Sequence, residues 1–234
     1  MLEILYQDDV VVAINKPPGL LVHRSPIAKD VEVFAMQLLR DQLGQHVYPA
    51  HRLDRKTSGV LLFALNAESH KLLQQQFAEK TVQKTYYAIV RGFTPTEGTI
   101  DYALKREDGK SQEAVTHYQL ADQAELPVPF GKHSTSRYSL LKITPETGRM
   151  HQIRKHMAHI FHPIIGDRPH GCNKQNRLFK ETWNMSEMML HARSLTFTHP
   201  VNQQQITVSA DFSMEFHRMM ALMGFQDSHK SSIV

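Results

Sequence analysis

Apolar residues along this chain come either in short unbroken runs or in spaced clusters, and the two patterns predict different elements. Val60-Leu-Leu-Phe-Ala-Leu65 has no polar interruption, which is the pattern of a strand buried on both faces. Val10-Val-Val-Ala-Ile14 reads the same way and stops at Asn15-Lys-Pro-Pro-Gly19, where two prolines and a glycine force a loop. Further strands are expected at Tyr86–Val90, ended by Arg91-Gly92, and at Tyr138–Thr144, turned by Pro145-Glu-Thr-Gly148. Leu190–Thr198 and Gln205–Ser209 read as a late pair of strands.

Helical spacing appears over 31–43, where Val31, Phe34, Met36, Leu38, Leu39 and Leu43 form a broad apolar side. Asn66 is placed to cap a helix reaching about Lys80, with Leu72, Leu73 and Phe77 inward. Met150–Phe161 predicts a helix stopped by Pro163 and Gly166, and Ser213–Met223 a closing helix. Ala121–Ser136 contains Leu126-Pro-Val-Pro-Phe-Gly131 and reads as an excursion. Strands and helices alternate without a strict βαβ rhythm. The expected fold is therefore α+β, a single domain over 1–224 with a mixed, largely antiparallel sheet and a flexible tail over 225–234.

Composition narrows the class. Of 234 residues, 41% are apolar and 21% charged, which is too apolar for a disordered chain. The lone cysteine, Cys172, excludes an internal disulfide framework and any cysteine-rich zinc module, and suits a reducing compartment. No apolar run approaches the ~18 residues that span a bilayer, and the acidic start Met1–Asp9 is unlike a signal peptide. A cytoplasmic protein with no membrane partner is expected. The net charge of +4 is unevenly placed: Arg149–Lys180 holds seven Lys/Arg and one acid, Asp167, so that segment carries +6 and the remainder −2. Such a segment is the footprint of a polyanion-binding face, or else a solvated basic surface.

The most informative position is Asp54, in His51-Arg-Leu-Asp-Arg-Lys-Thr-Ser-Gly59 between a proline-marked segment and a buried strand. A carboxylate beside Arg52 and Arg55 stays ionised, which suits a nucleophile or base rather than a general acid. On these residues alone it is also compatible with a surface Asp in an arginine network, with a hydrolase pairing Asp54 with His51 or His191, and with a non-catalytic RNA binder. His156, His159 and His162 recur every third residue, but the i, i+4 spacing of paired helical zinc ligands is absent and Pro163 follows the last, so no metal site is expected.

The loop around Asp54 resembles the signature of the RluA-type pseudouridine synthases. The resemblance extends through Asn15-Lys-Pro-Pro-Gly19, Lys84-Thr-Tyr-Tyr-Ala88, Thr147-Gly-Arg-Met-His-Gln-Ile-Arg154, His162-Pro-Ile-Ile-Gly-Asp167 and Leu190-His-Ala192, in the family's order over about positions 10–210. It implies that Asp54 is the essential catalytic carboxylate, that Arg154 pairs with it, and that Ile153 lines the uracil pocket. It further implies that Tyr86 stacks on the target base and takes part in proton removal, with Tyr87 a poorer candidate, and that Arg52 fills the gap left by a flipped nucleotide. His51, Arg149, Lys174 and Arg177 complete the expected RNA-contacting set. The resemblance implies no metal, nucleotide or organic cofactor and RNA as partner, in a chain expected to act as a monomer. Leu2-Glu-Ile-Leu-Tyr-Gln-Asp8, Gly44-Gln-His-Val47 and Ala114-Val-Thr-His-Tyr118 are similar to a short tRNA-modifying branch acting at uridine 65, with ribosomal RNA as the rival substrate.

The chemistry asks for these residue types. Cleaving N1–C1′, rotating the uracil and joining C5 to C1′ needs an anion able to attack C1′ or C6 or to take the C2′ proton. A guanidinium that grips the carboxylate in bidentate fashion would align it, and a closed apolar pocket would retain the detached base. A base stacked in A-form RNA must first be extruded, at a cost of a few kcal/mol. The first motif begins at Asn15, leaving no room before it for the S4-type RNA-binding domain of many relatives, so affinity is expected from the 149–180 segment. The Lys174→Ala/Arg177→Ala variant should therefore bind RNA more weakly, with a shallower dependence of log K on log salt. An unchanged salt slope in a filter-binding titration would exclude these two residues from the interface.

Overall fold

A computed structural model describes residues 1–23 and 33–226. In chain order the elements are β1 (Glu3–Gln7), β2 (Val11–Lys16), α1 (Ala35–Leu43), β3 (Tyr48–Pro49), β4 (Ser58–Ala64), α2 (Ala67–Ala78) and β5 (Gln83–Arg91). There follow β6 (Glu97–Asp101), β7 (Leu104–Lys105), β8 (Ser111–Gln112), β9 (Val115–Leu126), β10 (Ser136–Pro145) and α3 (Gln152–His159). The chain closes with α4 (Asn173–Trp183), β11 (Leu190–Thr198), β12 (Gln205–Ser209) and α5 (Met214–Met223). One large sheet runs β1-β2-β4-β11-β5-β10-β9-β6, with β12 added to β11 and β3 to β4, while β7 and β8 form a separate ribbon. All pairings in it are antiparallel except β4 with β11, where His191 lies opposite Ser58 and Ala192 opposite Gly59.

The buried stretches of β2, β4, β5 and β10 are largely apolar because helices cover both faces of the sheet. Along β2 and β4, Val11, Ala13, Val60, Leu62 and Ala64 pack with Leu73 of α2, while Val12, Ile14, Leu61 and Phe63 pack with Ala35 and Leu39 of α1. Along β5 and β10 the alternation repeats. Tyr87, Ile89, Tyr138 and Leu140 meet Phe179 of α4 and the methionines of α5, and Ala88, Val90, Leu141 and Ile143 meet Ile153 and Met157 of α3. Each fully buried Leu, Ile or Phe contributes ~1.5–3 kcal/mol relative to exposure, so the period-two alternation itself fixes the strand register.

Several expectations need correction. Helix α1 begins at Ala35, with Met36 and Leu38 exposed and Ala35 and Leu39 inward; Val31 lies outside the described residues. Asn66 caps α2 by accepting from Ser69 N at 2.8 Å, but Leu72 is exposed and only Leu73 is fully buried. The expected excursion over 121–136 is shorter, because β9 stays paired with β10 from Thr116↔Pro145 to Leu126↔Ser136. The prolines of 127–135 mark only the tip of that hairpin. Helix α4 carries polar and basic residues over most of its surface, which hid its two buried anchors, Gln175 and Phe179, from a reading of apolar spacing. Phe225 is buried against the last helix, and positions 227–234 lie outside the described residues.

The parallel β4–β11 step depends on Gly59. Its φ of +108° is in the region that favours glycine, and a Cβ there would collide with the Ala192 carbonyl oxygen. Gly59→Ala should cost more than ~2 kcal/mol in a denaturant titration and lower Tm by several degrees. A change within ~0.5 kcal/mol would show that the crossing does not need the close approach.

Candidate active site

The loop between β3 and β4 is held from two sides. Within it, Thr57 N donates to Asp54 O at 3.1 Å, closing a turn that presents the Asp54 side chain. Outside it, Gly19 N donates to Arg55 O at 2.7 Å and Arg55 Nε donates back to Gly19 O at 3.0 Å. The ammonium of Lys16, fully buried, donates to Pro17 O and Leu20 O at 2.9 Å and to Arg55 O at 3.2 Å. Burial brings its pKa down to about 7, against the pull of the nearby Asp54 charge. Thus the proline-rich loop after β2 ties down the loop that carries Asp54.

The Asp54 carboxylate meets Arg154 across 100 residues of chain. Arg154 Nη1 donates to Asp54 Oδ2 at 2.9 Å, while Nε and Nη2 donate to the two oxygens of Asp167 at 2.8 Å each. The bidentate grip expected for Asp54 therefore falls on Asp167, and Asp54 takes the one remaining edge of the guanidinium. Arg154 is 5% and Asp167 1% exposed. Burial alone would disfavour the guanidinium's charge, but its hydrogen bonds to Asp167 and Asp54 outweigh that and hold its pKa above the ordinary value. The result leaves an Asp54 oxygen facing the cavity while its partner cannot rotate. Arg154 and Asp167 also cancel within the basic segment, so two of its charges are internal.

Helix α3 is aimed by its first residues. Gln152 is buried and uses its amide fully: Oε1 accepts from Thr147 Oγ1 at 2.7 Å and Arg149 N at 2.9 Å, and Nε2 donates to Val115 O at 2.9 Å and Thr116 Oγ1 at 3.0 Å. Just before it, His151 sits at φ +58°, a left-handed conformation uncommon for a residue with a side chain. Asp167 is supported by α4, whose Asn176 donates to Asp167 O at 2.7 Å and accepts from Gly166 N at 2.8 Å.

These parts enclose a cavity of about 470 Å³, within the ~300–1,000 Å³ usual for small-ligand sites. Asp54, Tyr86, Arg154, Arg52, Ile153, Arg149 and His51 all line it. Tyr86, Ile153 and Leu190 form apolar wall, and Arg52, Lys84 and Arg149 bring positive charge to the rest. Lys174 and Arg177 do not reach it; both are exposed on α4. Burial and the Asp54 charge push the Tyr86 phenol well above its ordinary pKa. Tyr87 faces the opposite core, edge-on to Phe212 at 5.5 Å.

His51 lines the cavity through a ring committed on both sides. Its Nε2 accepts from Leu62 N at 3.1 Å, its ring stacks on Phe77, and burial together with Lys84 lowers its pKa to about 3. His191 binds Ser58 Oγ at 2.9 Å and Ala210 O at 3.2 Å, so both nitrogens are committed away from Asp54. Neither histidine forms the Asp–His pair that a hydrolase would use. Of the spaced histidines, His156 bonds Thr116 Oγ1 and Tyr102 O, His159 stacks on Tyr102, and His162 bonds Arg91 O. Sequence reasoning overlooked Asp167, Lys16, Gln152, Lys84, His151 and His170. Asp167 had a signal, being the single acid in a basic stretch.

A carboxylate presented by a buried arginine beneath a nucleoside-sized, partly apolar and positively rimmed cavity defines an enzyme acting on a nucleotide of a polyanion. The sequence model of the family described as RNA pseudouridylate synthase matches residues 10–159, and the chain belongs to that family. It is 49% identical over 234 residues to tRNA pseudouridine synthase C of Haemophilus ducreyi, covering 96% of each chain. It is 51% identical over 226 residues to the protein of the same name from Pasteurella multocida, covering 92% of this chain and 93% of that one. Among solved structures, human RNA Pseudouridylate Synthase Domain Containing 4 superposes with a TM-score of 0.73 at 25% identity, covering 96% of this chain and 94% of that one.

Asp167→Asn should destabilise the fold by ~3–5 kcal/mol in a denaturant titration, because it leaves a buried guanidinium half-compensated. A loss below ~1 kcal/mol would mean that Asp54 alone satisfies Arg154.

Proposed function

We propose that the protein converts a uridine of tRNA, the one at position 65, to pseudouridine by base flipping, acting in the cytoplasm as a monomer with Asp54 as the catalytic carboxylate. The observation that carries this reading is the Asp54 carboxylate held at 2.9 Å by a buried Arg154 beside Tyr86, in a cavity of nucleoside size. Family membership supplies the reaction class, and the names of relatives near half-identical over nearly the whole chain supply the substrate.

The residues fit their parts. A cavity oxygen of Asp54 is free to approach the ribose, while Arg154 and Asp167 keep it from turning away. Ile153 and the Tyr86 ring offer apolar contact to the uracil as it rotates. Exposed Arg52, two residues before Asp54, stands at the rim where an extruded nucleotide leaves its stack. Arg149, whose Nε is anchored on Glu113 O at 3.0 Å, gives the opposite rim a fixed positive charge for phosphate. Lys174 and Arg177 extend the basic surface along α4 to more distant phosphates.

Chemical mapping of pseudouridine in RNA treated with wild type and Asp54→Asn tests the reading. Wild type should modify tRNA at position 65, and Asp54→Asn should be at least ~10³-fold slower while binding tRNA within about threefold. Modification confined to ribosomal RNA would refute the substrate, base loss would indicate hydrolysis, and equal activity of the variant would refute the role of Asp54.

A further inference from the structure

The proline-rich tip of the β9–β10 hairpin, which the catalytic reading leaves without a role, builds a second cavity on the other face of the sheet. Phe130 and His133 exchange backbone hydrogen bonds at 3.0 and 3.2 Å, closing the tip. Ser136 Oγ donates to Val128 O at 2.8 Å and ties the tip to its strand. Between this tip, the end of β5 and the start of α4 lies a cavity of about 250 Å³, whose walls include Arg91, Phe130, Arg137 and Gln175. Successive side chains of a strand point to opposite faces. Arg91 therefore shares the α4 face with Tyr87 and Ile89, while Tyr86 faces the catalytic cavity, ~17 Å away along β5. Arg91 is the last residue of β5, so the second cavity stands at the margin of the sheet.

The side chain that asks for a ligand there is Arg91. It is half-buried, and its guanidinium has no hydrogen bond or ion pair among the described residues. It rests over the Phe130 ring, 5.3 Å from the centroid, a contact that seats the side chain but uses none of its N–H donors. Its charge reaches the Tyr138 hydroxyl: burial lifts that pKa to about 12, against the opposing pull of Ser136 and Arg91. Buried Gln175 donates from Nε2 to the same hydroxyl, which fixes the α4 side of the cavity. On the remaining wall, Arg137 lies over Phe93 at 5.2 Å and meets Glu125 at 3.2 Å, and Glu125 also accepts from Thr135 Oγ1. Two guanidinium groups are thus set against one carboxylate, and the charge left over is that of Arg91.

A partly desolvated cation favours an anion beside it, and the planar fork of arginine matches the oxygens of a phosphate. The cavity is smaller than the ~300–1,000 Å³ usual for small-ligand sites, so it suits a phosphate group rather than a whole nucleotide. Positive charge continues outside it, on exposed Lys132 of the tip and on exposed Lys174 and Arg177 of α4. A single phosphate ion gains little from such a surround, whereas one phosphate within a polyanion does. Resting on the RNA-modifying reading above, we propose that this cavity binds a backbone phosphate of the substrate RNA, gripped by Arg91, while the target nucleotide enters the catalytic cavity. Phosphate contacts set register without reading bases. A phosphate held at this fixed distance from Tyr86 selects the nucleotide that reaches Asp54 by its place in the folded RNA.

The test is tRNA binding by wild type, Arg91→Met and Arg91→Lys over a salt series, with ethylation interference to map the phosphates. Methionine keeps an unbranched stem to pack on Phe130, and lysine keeps the charge without the fork. Arg91→Met should bind about tenfold more weakly, with a slope of log K against log salt shallower by ~0.7–0.9. Arg91→Lys should keep the wild-type slope and lose about threefold in affinity. One phosphate whose ethylation blocks wild type should be tolerated by Arg91→Met. Unchanged affinity, slope and interference map would overturn the proposal. Weakening spread over the whole map, together with a lowered Tm, would make Arg91 a structural residue and overturn it equally. Inorganic phosphate titrated into the RNA-free proteins by calorimetry separates the other source of the same chemistry. Saturation below ~1 mM that requires Arg91, with tRNA binding unaltered in both variants, would assign the site to free phosphate and overturn the RNA assignment. Pseudouridine formation is read separately. A wild type that binds tRNA through Arg91 yet forms no pseudouridine would refute the isomerase reading alone, and one that modifies tRNA while both variants bind normally would refute the phosphate site alone.

Discussion

The structure depends on one guanidinium with two carboxylates to satisfy. Arg154 gives its broad edge to Asp167 and its remaining edge to Asp54; Arg154 and Asp167 sit where water is largely excluded, and Asp54 stands half-buried at the cavity. A single buried pair would leave Asp54 either fully engaged or free to swing. The asymmetric triad settles the guanidinium with Asp167 and lets Asp54 keep an oxygen for chemistry. Each member comes from a different part of the chain: a loop between strands, a helix, and the segment that follows that helix. The site therefore forms only when the central sheet, α3 and the Asp167 segment are all in place, which couples activity to the global fold.

The rest of the molecule can be read as support for that arrangement. Lys16 and Gly19 hold the Asp54 loop from the first hairpin, Gln152 sets the start of α3, and Asn176 of α4 holds the Asp167 backbone. The parallel meeting of β4 and β11, possible because Gly59 carries no side chain, brings the strand after the Asp54 loop beside the strand that begins at Leu190. Sheet, loop and helix are packed on both faces, so the cavity wall is stiff where the base must be held. The rim, where RNA approaches, carries Arg52 and Arg149.

Much of this was legible in the sequence. The unbroken apolar runs of β2 and β4 and the cap Asn66 marked their elements, because a strand buried on both faces and a capped helix leave local signatures. Asp54, Arg154, Tyr86, Ile153 and Arg52 were reached through motif blocks, and they do converge on one cavity. What stayed hidden was non-local. That Asp167 and not Asp54 receives the bidentate grip depends on packing between α3 and the following segment. The downward shift of His51 and the upward shift of Tyr86 follow from burial, which residue type does not reveal. Helix α4 escaped because two anchors suffice to seat a helix whose other faces are polar, and the place of Lys174 and Arg177 outside the cavity follows from that helix.

A structure of the protein bound to tRNA carrying 5-fluorouridine at the target position addresses the central claim most directly. The account predicts the nucleotide turned out of its helix into the cavity, its C1′ within ~3.5 Å of an Asp54 oxygen, with Arg154 still joined to both carboxylates. A target base left stacked in the RNA, or a ribose bound away from Asp54 with the Arg154 bridge broken, would contradict it.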